Sequence, residues 1–164
     1  MPCIESSALP STGTPLQGSG PPGNVPANLV GAWSGARDGD TQTLTLNADG
    51  TGSWTSAHTA QQYACFSFTN LIKSGTIVVE ATKMTLYATS VVKEEQTCMP
   101  PASQTPLEPV TDVLDWHPHE TDPNVIFVVD SACAAKFPEA QLPGGCEYAG
   151  CPIGLYCTAR MERK

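Results

Sequence analysis

The sequence predicts an all-β protein, an antiparallel barrel or sandwich, and three observations carry that expectation. Strand-like segments recur at intervals near ten residues from Leu29 onward, giving eight or nine of them. No stretch shows a convincing apolar period of 3.6 residues, so no amphipathic helix is expected. Seven cysteines are present, and the six beyond Cys3 make an even set that suits disulfides in a small acidic chain.

Residues 1–28 contain six Pro, four Gly and four Ser, with Glu5 the only charge. Such a segment buries too little to offset its ordering entropy and is read as a flexible tether. Residues 29–164 are then one domain, long enough for a single core. Its first strand contains Leu29 to Trp33. The stretch 41–46, TQTLTL, alternates polar and apolar as a half-buried strand does. Asn47-Ala48-Asp49-Gly50 carries the Asp-Gly signal of a hairpin. Residues 51–57 return, with Trp54 facing inward. Tyr63, Cys65, Phe66 and Phe68 mark another strand, Ser74-Gly75 breaks the run, and 76–80 continues it.

From Lys83 to Val92, Met84, Leu86 and Ala88 share one face and Thr85, Tyr87 and Thr89 the other. Four prolines in 97–109 predict a loop. Residues 110–116 form a strand, His117-Pro118-His119 a turn, and 125–130 a short β-branched strand. Residues 131–152 read as an irregular Cys-, Pro- and Gly-rich insertion, and 153–161 as the last strand.

The net charge of −8, with only eight Lys and Arg, opposes binding to a polyanion. The longest apolar runs are far shorter than the roughly 20 residues that cross a membrane as a helix. Cys3 at the head of the tether reads as a lipid-attachment site, which resembles the mature end of a bacterial lipoprotein. No charged or apolar leader precedes it. The implied location is outside a cell membrane: a cell envelope, lipid-anchored, or the extracellular space.

The six inner cysteines could be bridges or metal ligands. The tight two-residue spacing of zinc sites is absent, which favours bridges. Six cysteines allow fifteen pairings. Cys65–Cys98 is favoured as a link between neighbouring strands of a meander, Cys133–Cys157 as a link across a hairpin, and Cys146–Cys151 as the closure of the insertion. His117 and His119, with Glu120 and Asp122 beside them and His58 a distant candidate, are the sole metal-like cluster, and solvated loop histidines are the simpler reading. No nucleophile elbow or phosphate-cradling glycine loop occurs. The expectation is a non-catalytic protein with no cofactor.

One local pattern is more specific. Gly31-Ala32-Trp33 gives Gly-x-Trp on the first strand, the strand–turn–strand TLTLNADGTGS follows, and Arg160 lies on the last strand. This resembles the lipocalin-like (calycin-type) small barrels of bacterial lipoproteins. The resemblance implies an eight- or nine-stranded antiparallel barrel, closed at one end by Trp33 with Arg160 packed across it, a favourable cation–π contact. The Cys-rich insertion before the last strand departs from that pattern. The resemblance also implies a small apolar ligand in the barrel, with Trp54, Phe66, Phe68 and Leu86 as candidate lining residues, although the same side chains serve equally as core. The alternative is a cell-surface interaction module that uses the Cys-rich loop 133–151. An envelope enzyme built on His117 and His119 is a distant third.

Overall fold

Two strands follow directly from the first tryptophan and the alternating threonine stretch. In the computed structural model, which describes residues 21–37, 39–130 and 158–164, Gly31–Arg37 (β1) pairs antiparallel with Asp40–Leu46 (β2), Trp33 opposite Leu44. Gln42, Leu44 and Leu46 are buried, and the intervening threonines point the other way. The Asp-Gly turn forms as expected: the Asn47 N–H donates to the Thr51 carbonyl (2.9 Å) and the Gly50 N–H to the Asn47 carbonyl (3.1 Å). Gly50 has φ +81°, and a Cβ there would run into the Gly23 backbone. Glycine is therefore required twice over, by conformation and by contact.

Asp49 holds this turn with its carboxylate, which accepts from the Thr51 N–H (2.9 Å) and hydroxyl (2.6 Å). The Thr51 hydroxyl and then its N–H keep the carboxyl below its ordinary pKa. A lowered folded-state pKa stabilises above the unfolded value and ceases to do so as pH falls through the folded one. Asp49→Asn is therefore expected to lower the thermal midpoint slightly at neutral pH and to leave it unchanged in strong acid. A pH series of thermal melts checks this.

Three strands are longer than the sequence suggests. Thr51–Gln62 (β3), Cys65–Val79 (β4) and Lys83–Thr97 (β5) pair in succession. Ser74-Gly75 does not break β4. The β4–β5 register shifts there instead, so that Ser74 faces Ser90 and Gly75 faces Ala88. The proline-rich stretch also holds a strand, Ser103–Leu107 (β6), where a loop was expected. It lies at a sheet edge, where a proline can sit with its missing donor turned away from the ladder. Val110–Pro118 (β7) runs through His117 and Pro118 rather than turning at them, because pairing with Val125–Asp130 (β8) continues to Pro118 opposite Ile126. Thr158–Arg163 (β9) is the last strand and extends beyond Met161. Residues 153–157 lie outside the described residues.

The nine strands form one antiparallel sheet that closes in a ring, because β4 pairs with β5 as well as with β3. Eight of them make the ring, in the order β1-β2-β3-β4-β5-β7-β8-β9, and β6 lies on the far half of β5. No helix occurs among the described residues. The interior of the ring is the core: Trp33, Leu44, Leu46, Ile77, Met84, Leu86, Ile126 and Met161 are all at most 2% exposed. The expected inward face of Met84, Leu86 and Ala88, and the inward Trp54, are all found there. β8 is buried on both faces, which explains its unbroken apolar run.

Residues 24 and 25, which composition placed in the tether, are bound to the folded part. The Asn24 N–H donates to the Ile77 carbonyl, the Val79 N–H donates to the Asn24 carbonyl, and Val25 packs on the core. These contacts supply the apolar burial and backbone pairing that composition alone did not suggest.

At the opposite end three ring strands run on past their neighbours. β2 stops pairing with β3 at Ala57, and β7 stops pairing with β5 at Ala88. Beyond those points β3, β4, β5 and β6 continue as a four-stranded open lobe. The predicted Cys65–Cys98 disulfide staples its tip, with a Cα–Cα distance of 4.5 Å. Cys3, Cys133, Cys146, Cys151 and Cys157 lie outside the described residues, as does the insertion 131–152.

Candidate functional site

The ring has two unlike ends. One is closed by Trp33, which is fully buried and donates its indole N–H to the Leu29 carbonyl (2.9 Å). The guanidinium over its ring, 4.3 Å from the centroid, belongs to Arg163 and not to Arg160. Strand period decides this. Ala159, Met161 and Arg163 share the inner face of β9, whereas Arg160 and Glu162 share the outer face and pair with each other. Arg163 also donates to the Val30 carbonyl (2.7 Å) and the Asn28 carbonyl (2.5 Å), so one side chain ties the incoming chain to the last strand. Gly31, at φ +137°, leaves room for it: a Cβ there would lie 3.1 Å from Arg163 Nη1.

Outside this end lies an open cleft of about 610 Å³, bordered by Asn28, Trp116, Pro118, His119, Glu120 and Arg163. Its polar groups are already engaged in part. The Trp116 indole N–H donates to the Glu80 carbonyl (3.0 Å), and His119 Nδ1 accepts from the N–H groups of Thr121 and Asp122 (both 3.2 Å).

His117 and His119 both stack on Phe127, with centroids 5.0 and 5.9 Å away. They are packing partners of one aromatic ring. His58 is not with them; its Nδ1 lies 2.7 Å from Asp40 at the other end of the ring. No group of three or more His, Cys, Asp or Glu suited to a metal ion occurs among the described residues.

The other end is polar inside. Gln42 is fully buried in the phase of Leu44 and Leu46. Its amide donates to Ser56 Oγ (2.8 Å), Ser56 donates onward to Asp40 (3.4 Å), and His58 completes the chain on the same carboxylate. With the Ser56 hydroxyl turned to Asp40, its oxygen is the acceptor for the Gln42 N–H. Gln42 Oε1 is left with no partner. Lys73 and Asp112, both on inward positions, form a half-buried ion pair at 2.5 Å.

Of the four side chains proposed to line a ligand site, Trp54 and Leu86 face the interior as packed core. Phe66 and Phe68 do not. They lie on the lobe, beyond the ring, with ring centroids 6.3 Å apart and Phe66 exposed. The lobe extends β4 past the last ring neighbour, so its aromatics cannot reach the interior. Gln42, Lys73 and Asp112 were missed. The signal for Gln42 was a polar residue in phase with two leucines; Lys73 and Asp112 meet only through the strand order.

No family model, curated protein or solved structure matches this chain.

Proposed function

We propose that this chain is a non-catalytic, lipocalin-like β-barrel that binds a small molecule in the polar half of its ring and is tethered outside a membrane through lipid on Cys3. The closed ring of eight antiparallel strands supports the barrel reading. Gly31, Trp33 and a last-strand arginine support the lipocalin-like one, with Arg163 taking the part expected of Arg160.

The observation that carries the binding reading is Gln42 Oε1, a buried acceptor without a donor. Leaving such an atom unsatisfied costs about 1–3 kcal/mol, and a ligand N–H or O–H would recover it. The apolar half is filled by the protein's own side chains, so a wholly apolar ligand has less to contact than a small molecule with a hydrogen-bond donor.

Thermal-shift and calorimetric titration with small amides, polyols and amino acids tests this, with an apolar fluorescent dye as the contrasting probe. At least one donor-bearing compound should raise the midpoint of the native chain and not that of Gln42→Met. The substitution removes the orphan acceptor and the donation to Ser56 together, so the free protein's stability should change by no more than about 1 kcal/mol. Binding of the dye alone, or equal shifts in both proteins, would overturn the donor-bearing ligand. The mass of the mature protein from its native host, with or without acyl chains on Cys3, tests the tether.

A further inference from the structure

We propose that two copies of this chain pair through the open lobe, β3 adding to β3 antiparallel across a two-fold axis. Among the described residues the edge is present and uncovered. Beyond Ala57, β3 has β4 on one side and no strand on the other among the described residues, and residues 58–62 are all exposed. Such an edge is a template for another strand, and proteins usually blunt it with charge, proline or a bulge. The opposite edge of the lobe has that device in Pro106 on β6. Thr59-Ala60-Gln61-Gln62 has neither charge nor proline.

The surroundings are equally unusual for a chain of net charge −8. Residues 59–72 and 96–107 contain no Asp, Glu, Lys or Arg, and the charges of the lobe, Lys93, Glu94 and Glu95, lie on β5 rather than on the free edge strand. Charge depletion with exposed aromatic and methionine side chains is the compositional mark of an interface centre. Tyr63, Phe66 and Met99 supply those side chains at the tip, exposed to 102%, 47% and 76%. The Cys65–Cys98 bridge, and the Cys98 N–H donating to the Phe66 carbonyl (3.1 Å), hold the tip in shape before any partner arrives. Pre-ordering reduces the entropy cost of association.

Charge selects a second copy as the occupant. An antiparallel pair of identical strands sets each residue against its two-fold mate. With the axis at Ala60, Thr59 faces Gln61 and His58 faces Gln62, and no like-charged carboxylates or ammonium groups meet. Two molecules of this net charge repel at most approaches, whereas the pairing strand itself carries no acidic residue, those of the lobe, Glu94 and Glu95, lying on β5. A lipid surface fits less well, because the open edge would leave backbone donors and acceptors unpaired in hydrocarbon.

Sedimentation equilibrium of the full chain, from low micromolar to several hundred micromolar, tests the pairing. A reversible dimer is expected, and it should tighten with added salt as the net charge is screened. Ala60→Glu and Ala60→Lys place like charges face to face and should each weaken pairing by about tenfold or more. An equimolar mixture of the two variants should restore a dimer containing one of each. Circular dichroism and melting of both variants separate loss of pairing from loss of fold. A monomer throughout the range overturns the proposal. So does a dimer indifferent to both substitutions, which would lie elsewhere, and so does binding of the monomer to neutral phosphatidylcholine vesicles through Tyr63 without self-association.

Discussion

Trp33→Ala is expected to cost about 3–5 kcal/mol of folding free energy, the range for deleting a large aromatic from a packed interior. That is a large share of the stability of an ordinary domain. Trp33 is fully buried, and three contacts end with it. The interior loses its filling at the closed end, the Leu29 carbonyl loses its donor, and the Arg163 guanidinium loses the ring beneath it. Trp33→Phe keeps an aromatic face and loses the N–H, so its cost should be clearly smaller. The arginines give the sharper contrast. Arg163→Ala removes a cation–π contact and two donors to the Asn28 and Val30 carbonyls. It should cost about 1–2 kcal/mol. Arg160→Ala alters an exposed outer-face position and should stay within about 0.5 kcal/mol. Guanidinium denaturation followed by far-ultraviolet circular dichroism measures all four. A larger loss for Arg160→Ala than for Arg163→Ala would mean that β9 is out of register by one residue.

The second large effect is expected from Cys65→Ser/Cys98→Ser. The bridge closes a loop with a sequence separation of 33. The chain-entropy estimate for that length is about 4 kcal/mol. The lobe it staples is an open sheet outside the closed ring, so the loss should fall first on the lobe. Hydrogen exchange should quicken at residues 59–70 and 91–97 well before the ring strands respond, and the global midpoint should fall as well. Serine replacement is preferable to a reducing agent, which would act on every disulfide in the chain. Unchanged exchange in the lobe would show that backbone pairing alone sustains it. The same variant should weaken self-association, since the exposed tip would no longer be held in one shape.

Much of this architecture is legible from local pattern. The threonine–leucine alternation of 41–46, the Asp49-Gly50 turn and the Met84, Leu86, Ala88 face each follow from a period of two and one turn signal. Cys65–Cys98 followed from expecting adjacent strands. What was not legible has physical reasons. Residues 58–62 are strand without apolar alternation, because neither face of the lobe is core there. β6 contains a proline that only an edge can accept. The register shift at Ser74-Gly75 changes the inward phase of β5 from Ala88 to Val91, and no residue pattern announces it.

The sequence by itself determined the class: an antiparallel all-β chain with an acidic surface, a first-strand tryptophan and a stapled pair of strands. Those are local properties, set by side-chain alternation, turn chemistry and charge count. Tertiary structure decided which arginine covers Trp33, that β4 meets β5 to close the ring, and that Gln42, Lys73 and Asp112 face one interior. It also decided that three strands outrun their neighbours into a lobe whose free edge strand carries no acidic or basic residue beyond His58. Each of these depends on strand order and register, which are fixed by contacts between residues far apart in the chain. A one-residue change in register would reverse every one of those faces.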